Sequence, residues 1–329
     1  MDIRGKRILV IGGGGFIGSH VVDLLTKEDI KEVLVFDNFS RGTKNNLGDA
    51  LRDPRVKIYD VGGDITQSDI LASAMKGIDG VVHLAALWLL QCHEYPRAAF
   101  DVNIRGTFNV LEACRDNGVK RLVYSSSASV YGDALEIPMT EDHPFNNKTF
   151  YGATKIAGEQ MARAFHHRYG LSYAGMRYMN VYGARQDYKG AYVAVIMKML
   201  DKLDKGESPE CYGDGSQAYD FIYVSDCARA NILALKAEVN DKFYNVGSGT
   251  KTSIKELAER VLKITGSKLP IAYQPAGQTF VTHRVGCTKN AKKDLGFETT
   301  IGLDDGLKRL IEWRSMDKEG VMQRRAAAA

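Results

Sequence analysis

Short apolar runs alternate with longer polar or helix-like stretches through the first half of the chain. The runs, made largely of Val, Ile and Leu, lie at residues 7–11, 32–36, 56–59, 80–84 and 121–125. This alternation is typical of βαβ units, in which helices connect parallel strands. Because most of the runs are continuously apolar rather than alternating, both faces of the predicted sheet should be covered.

Helical spacing of apolar positions follows most of these runs. Helices are predicted at 17–25, 70–75, 98–117 and 151–168, and one more strand at 171–177. The first half is therefore predicted to be a doubly wound parallel α/β domain over residues 1–180.

The pattern loosens after Asn180, where Gly-rich turns separate helices predicted near 253–265 and 303–314. We expect a smaller α+β domain over residues 181–315, with the strand and helix at 220–236 packing back on the first domain. Residues 316–329 are expected to be a tail, and its terminal Ala run is typical of a cloning scar.

Composition narrows the class of protein. The 329 residues are 44% hydrophobic and 26% charged, as in globular proteins. The 44 Lys+Arg and 40 Asp+Glu leave a net charge of +4 without a basic run, so no nucleic-acid partner is expected. No signal peptide and no membrane span are expected either. Five scattered Cys without a C-x-x-C pair predict no metal site, no disulfide framework and a reducing cytoplasm.

A glycine-rich turn joins the first predicted strand to the first helix. Gly12, Gly15 and Gly18 form a G-x-x-G-x-x-G pattern, and Phe16 and Ile17 open the helix. Only glycine lets a backbone pass close to a pyrophosphate, whose charge then lies on free N–H groups at the helix N-terminus. The pattern predicts a Rossmann dinucleotide site.

Acidic and small residues end the next strands. The carboxylate of Asp37, about 20 residues after the glycines, can accept both ribose hydroxyls and would repel a 2′-phosphate, which favours NAD over NADP. Asp64, followed by Ile65, could meet the adenine amino group or simply form a turn. The next strand ends at Leu84 and is followed by Ala85 and Ala86. The small side chains at this strand end would let the backbone approach a dinucleotide.

A Tyr and a Lys four residues apart are the candidate catalytic residues. Tyr151 and Lys155 share one helix face, so the ammonium of Lys155 can lie near the phenol and lower its pKa. A poised phenolate is a general base. A serine cluster, 125–127, ends a strand about 25 residues upstream, and this conjunction with a dinucleotide loop favours catalysis over coincidence.

The chain resembles the extended short-chain dehydrogenase/reductase family, and within it the NAD-dependent nucleotide-sugar epimerase/dehydratase branch, especially UDP-glucose 4-epimerase-like enzymes. The resemblance covers about residues 6–312. It rests on these segments: 12–18, Asp37, 64–65, 84–86, Asn103, 125–132, Tyr151 with Lys155, 177–183, 220–226 and 245–249.

The resemblance implies a role for each matching residue. Tyr151 would take a proton from a sugar hydroxyl, Ser127 would share that hydrogen bond, and Lys155 would bind the nicotinamide ribose. Further cofactor contacts are implied for Asn38, Ser40, Arg41, Gly42, Asn103, Ser125 and Tyr178. Substrate contacts are expected at Ser127, Trp88, Asn180, Tyr219 and Arg284. The second domain would hold the nucleotide sugar, and helices 98–117 and 151–168 would form a homodimer.

The residues after the serines favour one reaction. Related dehydratases carry an Asp-Glu pair there, whereas this chain has Ala128 and Ser129, which favours simple epimerisation. No Cys lies near Ser127, which disfavours GDP-sugar epimerase/reductases. The expected function is a UDP-hexose 4-epimerase supplying surface polysaccharide precursors. A dehydratase, decarboxylase or keto-sugar reductase remains the alternative, and a non-catalytic NAD-binding scaffold a remote one.

The sequence departs from the family pattern at positions that are expected to bind the substrate. Tyr219 stands where a diphosphate-binding arginine is usual, and a tyrosine cannot neutralise a phosphate as a guanidinium does. The usual R-x-G-D turn becomes 275–278, ending in Gln278. Arg284 and His283 are candidates to replace the lost charge, or a surface pair. Trp88 belongs either to the sugar-facing wall or to an apolar core.

Overall fold

The computed structural model describes residues 1–186, 195–276 and 281–317. Within these residues the largest sheet has seven parallel strands. In spatial order they are β11 (Lys242–Val246), β6 (Tyr173–Tyr178), β5 (Arg121–Ser127), β4 (Gly80–His83), β1 (Arg7–Ile11), β2 (Glu32–Phe36) and β3 (Val56–Ile58). The strand order reverses beside β1, so the predicted doubly wound α/β fold is confirmed.

Two helical layers cover the faces of this sheet, because successive strand side chains point to opposite sides. Val10 and Val35 face one layer, whereas Leu9 and Leu34 face the other. The first layer includes α1 (Phe16–Leu25) and α8 (Val224–Lys236), which pack against each other. The second includes α2 (Ser68–Ala74), α5 (Thr107–Asp116) and α6 (Phe150–Tyr169). The sheet is therefore buried on both sides, as its apolar runs predict.

The other elements of the described residues are short or belong to the second half. The helices are α3 (Leu89–Glu94), α4 (Pro96–Ala99), α7 (Val195–Asp204), α9 (Ile254–Thr265), α10 (Lys289–Leu295) and α11 (Leu303–Met316). The strands are β7 (Asn180–Tyr182), β8 (Glu210–Tyr212), β9 (Ala218–Tyr219), β10 (Phe221–Tyr223), β12 (Thr252–Ser253), β13 (Ala272–Gln274) and β14 (His283–Arg284). Helices α7, α9 and α11 share an apolar core of their own, which includes Leu200, Leu257 and Leu310.

The edge strand β11 was not predicted from its sequence. It pairs with β6 in parallel, although it lies more than 60 residues further along the chain. Parallel pairing of distant segments leaves little local signal, and the adjoining Gly-rich turn hides the strand. The boundary at residue 180 stays a prediction, and both β11 and α8, which lie beyond it, pack on the main sheet. From residue 318 on, the expected tail lies outside the described residues.

The single regular helix predicted over 98–117 is wrong in its N-terminal part. The chain runs from α4 through a π-helical segment, Phe100–Gly106, into α5. A π-helix has i→i+5 hydrogen bonds, so it shifts the side chains that follow it, and such segments are frequent at functional sites. Apolar periodicity cannot distinguish this segment from a regular α-helix.

Candidate active site

A cavity of about 1140 Å³ opens at the carboxyl ends of the central strands. In doubly wound sheets, this edge beside the reversal of strand order is where ligands bind. Most of the predicted cofactor residues line the cavity: Gly12, Gly15, Phe16, Ile17, Gly18, Asp37, Asn38, Ser40, Arg41, Gly42, Asp64, Ile65, Leu84, Ala85, Ala86, Ser125, Tyr151, Lys155 and Tyr178. The fold thus brings together residues that are far apart in the sequence.

The glycine turn between β1 and α1 is too tightly packed for side chains. Gly12 has a φ of 82°, which favours glycine. A Cβ on Gly18 would lie 2.1 Å from the carbonyl oxygen of Gly12. The turn therefore leaves its backbone bare toward the cavity, with the N-terminus of α1 behind it. This cradle fits the pyrophosphate of a dinucleotide.

Asp37 lies at the end of β2, beside the glycine turn. Its Oδ2 accepts a hydrogen bond from Gly14 N at 2.8 Å, and its Oδ1 accepts one from Phe39 N at 2.8 Å. Burial raises the pKa of Asp37, although these backbone donors act in the opposite direction. A carboxylate here fits the two ribose hydroxyls of NAD and disfavours the extra phosphate of NADP.

The start of α6 places the predicted catalytic pair against the end of β5. Thr149 caps the helix by accepting from Gly152 N at 3.1 Å. Lys155 is buried, and its Nζ donates to the carbonyl oxygen of Ser125 at 2.7 Å. The same Nζ lies 5.6 Å from the centroid of the Tyr151 ring. The Tyr and Lys predicted to work together are therefore neighbours.

The electrostatics of this pair differ from the expectation. Burial raises the pKa of Tyr151 to about 12, while a hydrogen bond with Ser127 and the charges of Arg284 and Arg41 act to lower it. Burial also lowers the pKa of Lys155 to about 8. The expectation that Lys155 brings the pKa of Tyr151 below its usual value is not met in this structure, because desolvation of the phenolate outweighs the nearby cations.

Asn103, predicted to contact the cofactor, is buried behind the cavity wall. Its Oδ1 accepts from Leu87 N at 2.7 Å, and its Nδ2 donates to Leu87 O at 2.9 Å and to Thr154 Oγ1 at 3.1 Å. The amide is thus already used within the protein. It ties the π-helical segment to Leu87, which lines the cavity, and to α6.

The expected substrate residues fall in different places. Trp88 lines the cavity, and the guanidinium carbon of Arg41 lies 4.7 Å from its ring centroid. Asn180 begins β7, and its backbone N–H donates to Asp220 O. Arg284 of β14 is the register partner of Tyr219 in β9. Gln278 lies outside the described residues.

Several cavity residues were not predicted, and most come from loops or from the second half of the chain. They include Thr43, Asn46, Gly63, Arg185, Gln186, Lys198 and Trp313. Asn46 Nδ2 donates to Gly14 O at 2.9 Å and so supports the glycine turn. None of these residues belongs to a motif that points to a ligand, so only their position in the fold reveals them.

Two features are absent from the described residues. Among residues 1–186, 195–276 and 281–317, no helix has the length and apolar character needed to cross a membrane. The same residues hold no group of three or more His, Cys, Asp or Glu side chains placed to bind a metal ion.

Comparison with known proteins identifies the family. Residues 8–247 match the model of the NAD dependent epimerase/dehydratase family. A putative UDP-glucose 4-epimerase of Methanocaldococcus jannaschii is 36% identical over 309 residues, which cover 93% of this chain and 97% of that protein.

Solved structures agree with this match. A UDP-N-acetylglucosamine 4-epimerase from Methanobrevibacter ruminantium, in complex with UDP-N-acetylmuramic acid, superposes with a TM-score of 0.89 at 34% identity, covering 95% of this chain and 99% of that chain. A UDP-glucose 4-epimerase from Thermotoga maritima with UDP-glucose gives 0.87 at 32% identity, covering 94% and 99%. The chain therefore belongs to the NAD dependent epimerase/dehydratase family, and NAD is its cofactor.

Proposed function

We propose that this protein is a nucleotide-sugar epimerase that inverts C4 of a UDP-hexose through a transient 4-keto sugar. The observation that carries the proposal is the Tyr151, Lys155 and Ser127 constellation beside the cofactor cavity. The 4-epimerase relatives, 34% and 36% identical, support the same reaction.

Residues of the chain itself would accept and return the proton of the reacting hydroxyl. Tyr151 Oη takes the proton of the 4-hydroxyl and returns it when the keto group is reduced, while Ser127 shares its hydrogen bond with the reacting oxygen. NAD, held by the glycine turn, Asp37 and Lys155, would supply the reversible hydride chemistry at C4 of the sugar. Arg284, Arg41 and the hydrogen bond with Ser127 partly offset the cost of a buried phenolate. Proton and hydride both return to the sugar, so the reaction is an isomerisation.

The residues after Ser127 support epimerisation over elimination. Ala128 and Ser129 follow it, and both are buried. Neither side chain can act as the second acid or base that loss of water from the sugar would need. Retention of Tyr151 and Lys155 likewise argues against a scaffold without activity.

We also propose that the protein is a homodimer and supplies surface polysaccharide precursors, as the family resemblance implies, and that it is cytoplasmic, as its scattered cysteines predict. Aromatic side chains are exposed on neighbouring helices of one layer, including Phe100, Phe108 and Phe150. Exposed aromatic groups of this kind are enriched at the contacts between protein subunits.

Proton NMR of the purified protein tests the reaction. The protein, checked for bound NAD, is incubated without added cofactor with UDP-glucose, UDP-N-acetylglucosamine and their uronic acids. We expect the anomeric signal of a 4-epimer, and Tyr151→Phe should lower its rate by about 10²-fold or more while NAD stays bound. Tyr273→Phe, an exposed tyrosine of β13, is the matched control.

Three results would contradict the proposal. In a parallel incubation with NADH, consumption of NADH together with the sugar would indicate a reductase, and loss of water from the sugar in either incubation would indicate a dehydratase. An unchanged rate in Tyr151→Phe would remove this tyrosine from the reaction.

A further inference from the structure

A buried ion pair lies beneath the catalytic helix, and the proposed reaction does not use it. Glu159 of α6 and Arg177 of β6 are both buried. Arg177 Nε donates to Glu159 Oε1 at 2.9 Å, and its Nη2 donates to Oε2 at 2.7 Å. The contact is bidentate, the geometry that holds a carboxylate most firmly.

A third group completes this contact. Ser126 Oγ donates to Glu159 Oε1 at 2.5 Å. Ser126 and Arg177 are register partners in the parallel strands β5 and β6, so one carboxylate of α6 binds two adjacent strands. The remaining guanidinium nitrogen, Nη1, donates to Tyr131 Oη at 2.8 Å and to Glu141 O at 2.7 Å. The position of the carboxylate is therefore fixed from several sides.

The same strand segment holds the catalytic side chains. Ser125, before Ser126, supplies the carbonyl oxygen that binds Lys155 Nζ. Ser127, after it, forms the hydrogen bond with Tyr151. On α6, Glu159 lies four residues beyond Lys155 and eight beyond Tyr151, so the three side chains share one helix face. Glu159 thus joins the helix that carries Tyr151 and Lys155 to the strand that orients them.

Stability alone does not account for this ion pair. Burying two charges carries a large desolvation cost, and replacing such a pair by apolar side chains is often neutral or stabilising. A buried carboxylate one helical turn from a buried lysine stabilises the protonated form of that lysine, which an apolar residue cannot do.

We propose that Glu159 is a positioning residue of the catalytic site, which holds the Ser125–Ser127 segment of β5 against α6 and keeps the ammonium form of Lys155 in place. This inference rests on the proposed function for its role in turnover. In this role Glu159 contacts neither the sugar nor the cofactor.

The charges around Lys155 give the direction of the effect. It faces Tyr151 on its own helix, Cys92 of α3, His83 of β4 and the ring of Tyr124 of β5. Burial lowers the pKa of Lys155 to about 8, whereas Glu159 and Cys92 act to raise it. Since the thiol of Cys92, with its pKa raised to about 11, is neutral below that pH, Glu159 is the anion in this set.

Glu159→Gln tests the proposal through the titration of Lys155. The protein is labelled with [ε-¹³C]lysine, the signal of Lys155 is assigned with Lys155→Met, and its shift is followed from pH 6 to pH 10. We expect the midpoint to fall by about one pH unit or more, because the stabilising anion is gone. The alkaline limb of the epimerase pH profile should move in the same direction. Glu112→Gln, a partly exposed glutamate of α5, is the matched control.

A second pair of variants separates this role from a structural one. Glu159→Gln with Arg177→Gln leaves no unpaired buried charge and should show the same downward shift, so it serves if the single variant does not fold. Glu159→Asp keeps the charge and should restore the midpoint to within a few tenths of a pH unit. A folded variant without Glu159 in which Lys155 titrates as in the wild type overturns the proposal. Absence of any epimerase activity in the wild type would instead contradict the proposed function, because the lysine titration does not depend on turnover.

Discussion

At the scale of single residues, an unusual feature is that Arg284 lies beside Tyr219, which stands where the family resemblance implies an arginine. Tyr219 Oη donates to Val281 O at 2.8 Å, so its hydroxyl is already used. Arg284 lies beside it across the β9 and β14 pairing, and its Nε has no hydrogen-bond partner among the described residues. Burial lowers the pKa of Arg284, while Tyr219, Tyr151 and Asp133 act to raise it. A cation thus lies one strand across the sheet from Tyr219.

We predict that Arg284 supplies the charge that binds the substrate anion. Arg284→Met should weaken binding of UDP by about 10-fold or more, since charge-assisted hydrogen bonds contribute roughly 1.5–3 kcal/mol. Isothermal titration calorimetry with UDP measures this. Arg284→Lys should keep part of the affinity, and Arg260→Met, a partly exposed arginine of α9, is the control. Unchanged UDP affinity in Arg284→Met would refute this role.

At the scale of elements, helix α6 packs closely against strand β5 at Gly158. Gly158, between Lys155 and Tyr169 on α6, allows this approach, because a Cβ there would lie 2.0 Å from Tyr124 Oη. Tyr124 is itself buried and lies under the ammonium group of Lys155 at 5.4 Å from its ring centroid. The close approach brings the carboxylate of Glu159 within reach of Ser126. Packing, rather than helix propensity, therefore selects glycine at this position.

Gly158→Ala should destabilise the protein although alanine is the better helix former. Intrinsic propensity favours alanine by about 1 kcal/mol, but overpacking a core typically costs about 1–3 kcal/mol. Since the clash is with a fixed phenol, we expect a net loss in the free energy of unfolding, measured by urea denaturation. Gly302→Ala, where an added Cβ meets no atom within 4 Å, should have little effect. A Gly158→Ala protein as stable as the wild type would show that α6 can shift freely.

At the scale of the whole molecule, the two halves of the chain share the main sheet and the cavity. Helix α8 and strand β11 come from the second half, yet they pack on the sheet built by the first. Arg185, Lys198 and Trp313 of the second half line the same cavity as the glycine turn. Aromatic groups are exposed on α6 and on the π-helical segment before α5, where Phe150 is 57% and Phe100 51% exposed. A surface of this kind suits association with a second copy.

The expected assembly is a homodimer through the helices predicted at 98–117 and 151–168, the second of which is α6. Light scattering after size exclusion should give twice the mass of one chain. Phe100→Glu combined with Phe108→Glu should shift the mass to the monomer, since a two-fold axis places each charge in the contact twice. Tyr273→Glu, an equally exposed aromatic position on β13, should leave the dimer intact. A monomeric wild type would refute the prediction.

The sequence alone determined the features that depend on local spacing. Short-range geometry determines the strand, glycine turn and helix at the N-terminus and the position of Asp37 after the second strand. It also determines the i, i+4 placement of Tyr151 and Lys155. These features could therefore be predicted from the sequence. Only the tertiary structure decided the rest. It set β11 beside β6, Arg284 beside Tyr219, and Glu159 against Arg177 and Ser126. It also raised the pKa of Tyr151 through burial. Pairing between distant segments and the loss of solvent depend on the whole packed molecule, and no local pattern of residues encodes them.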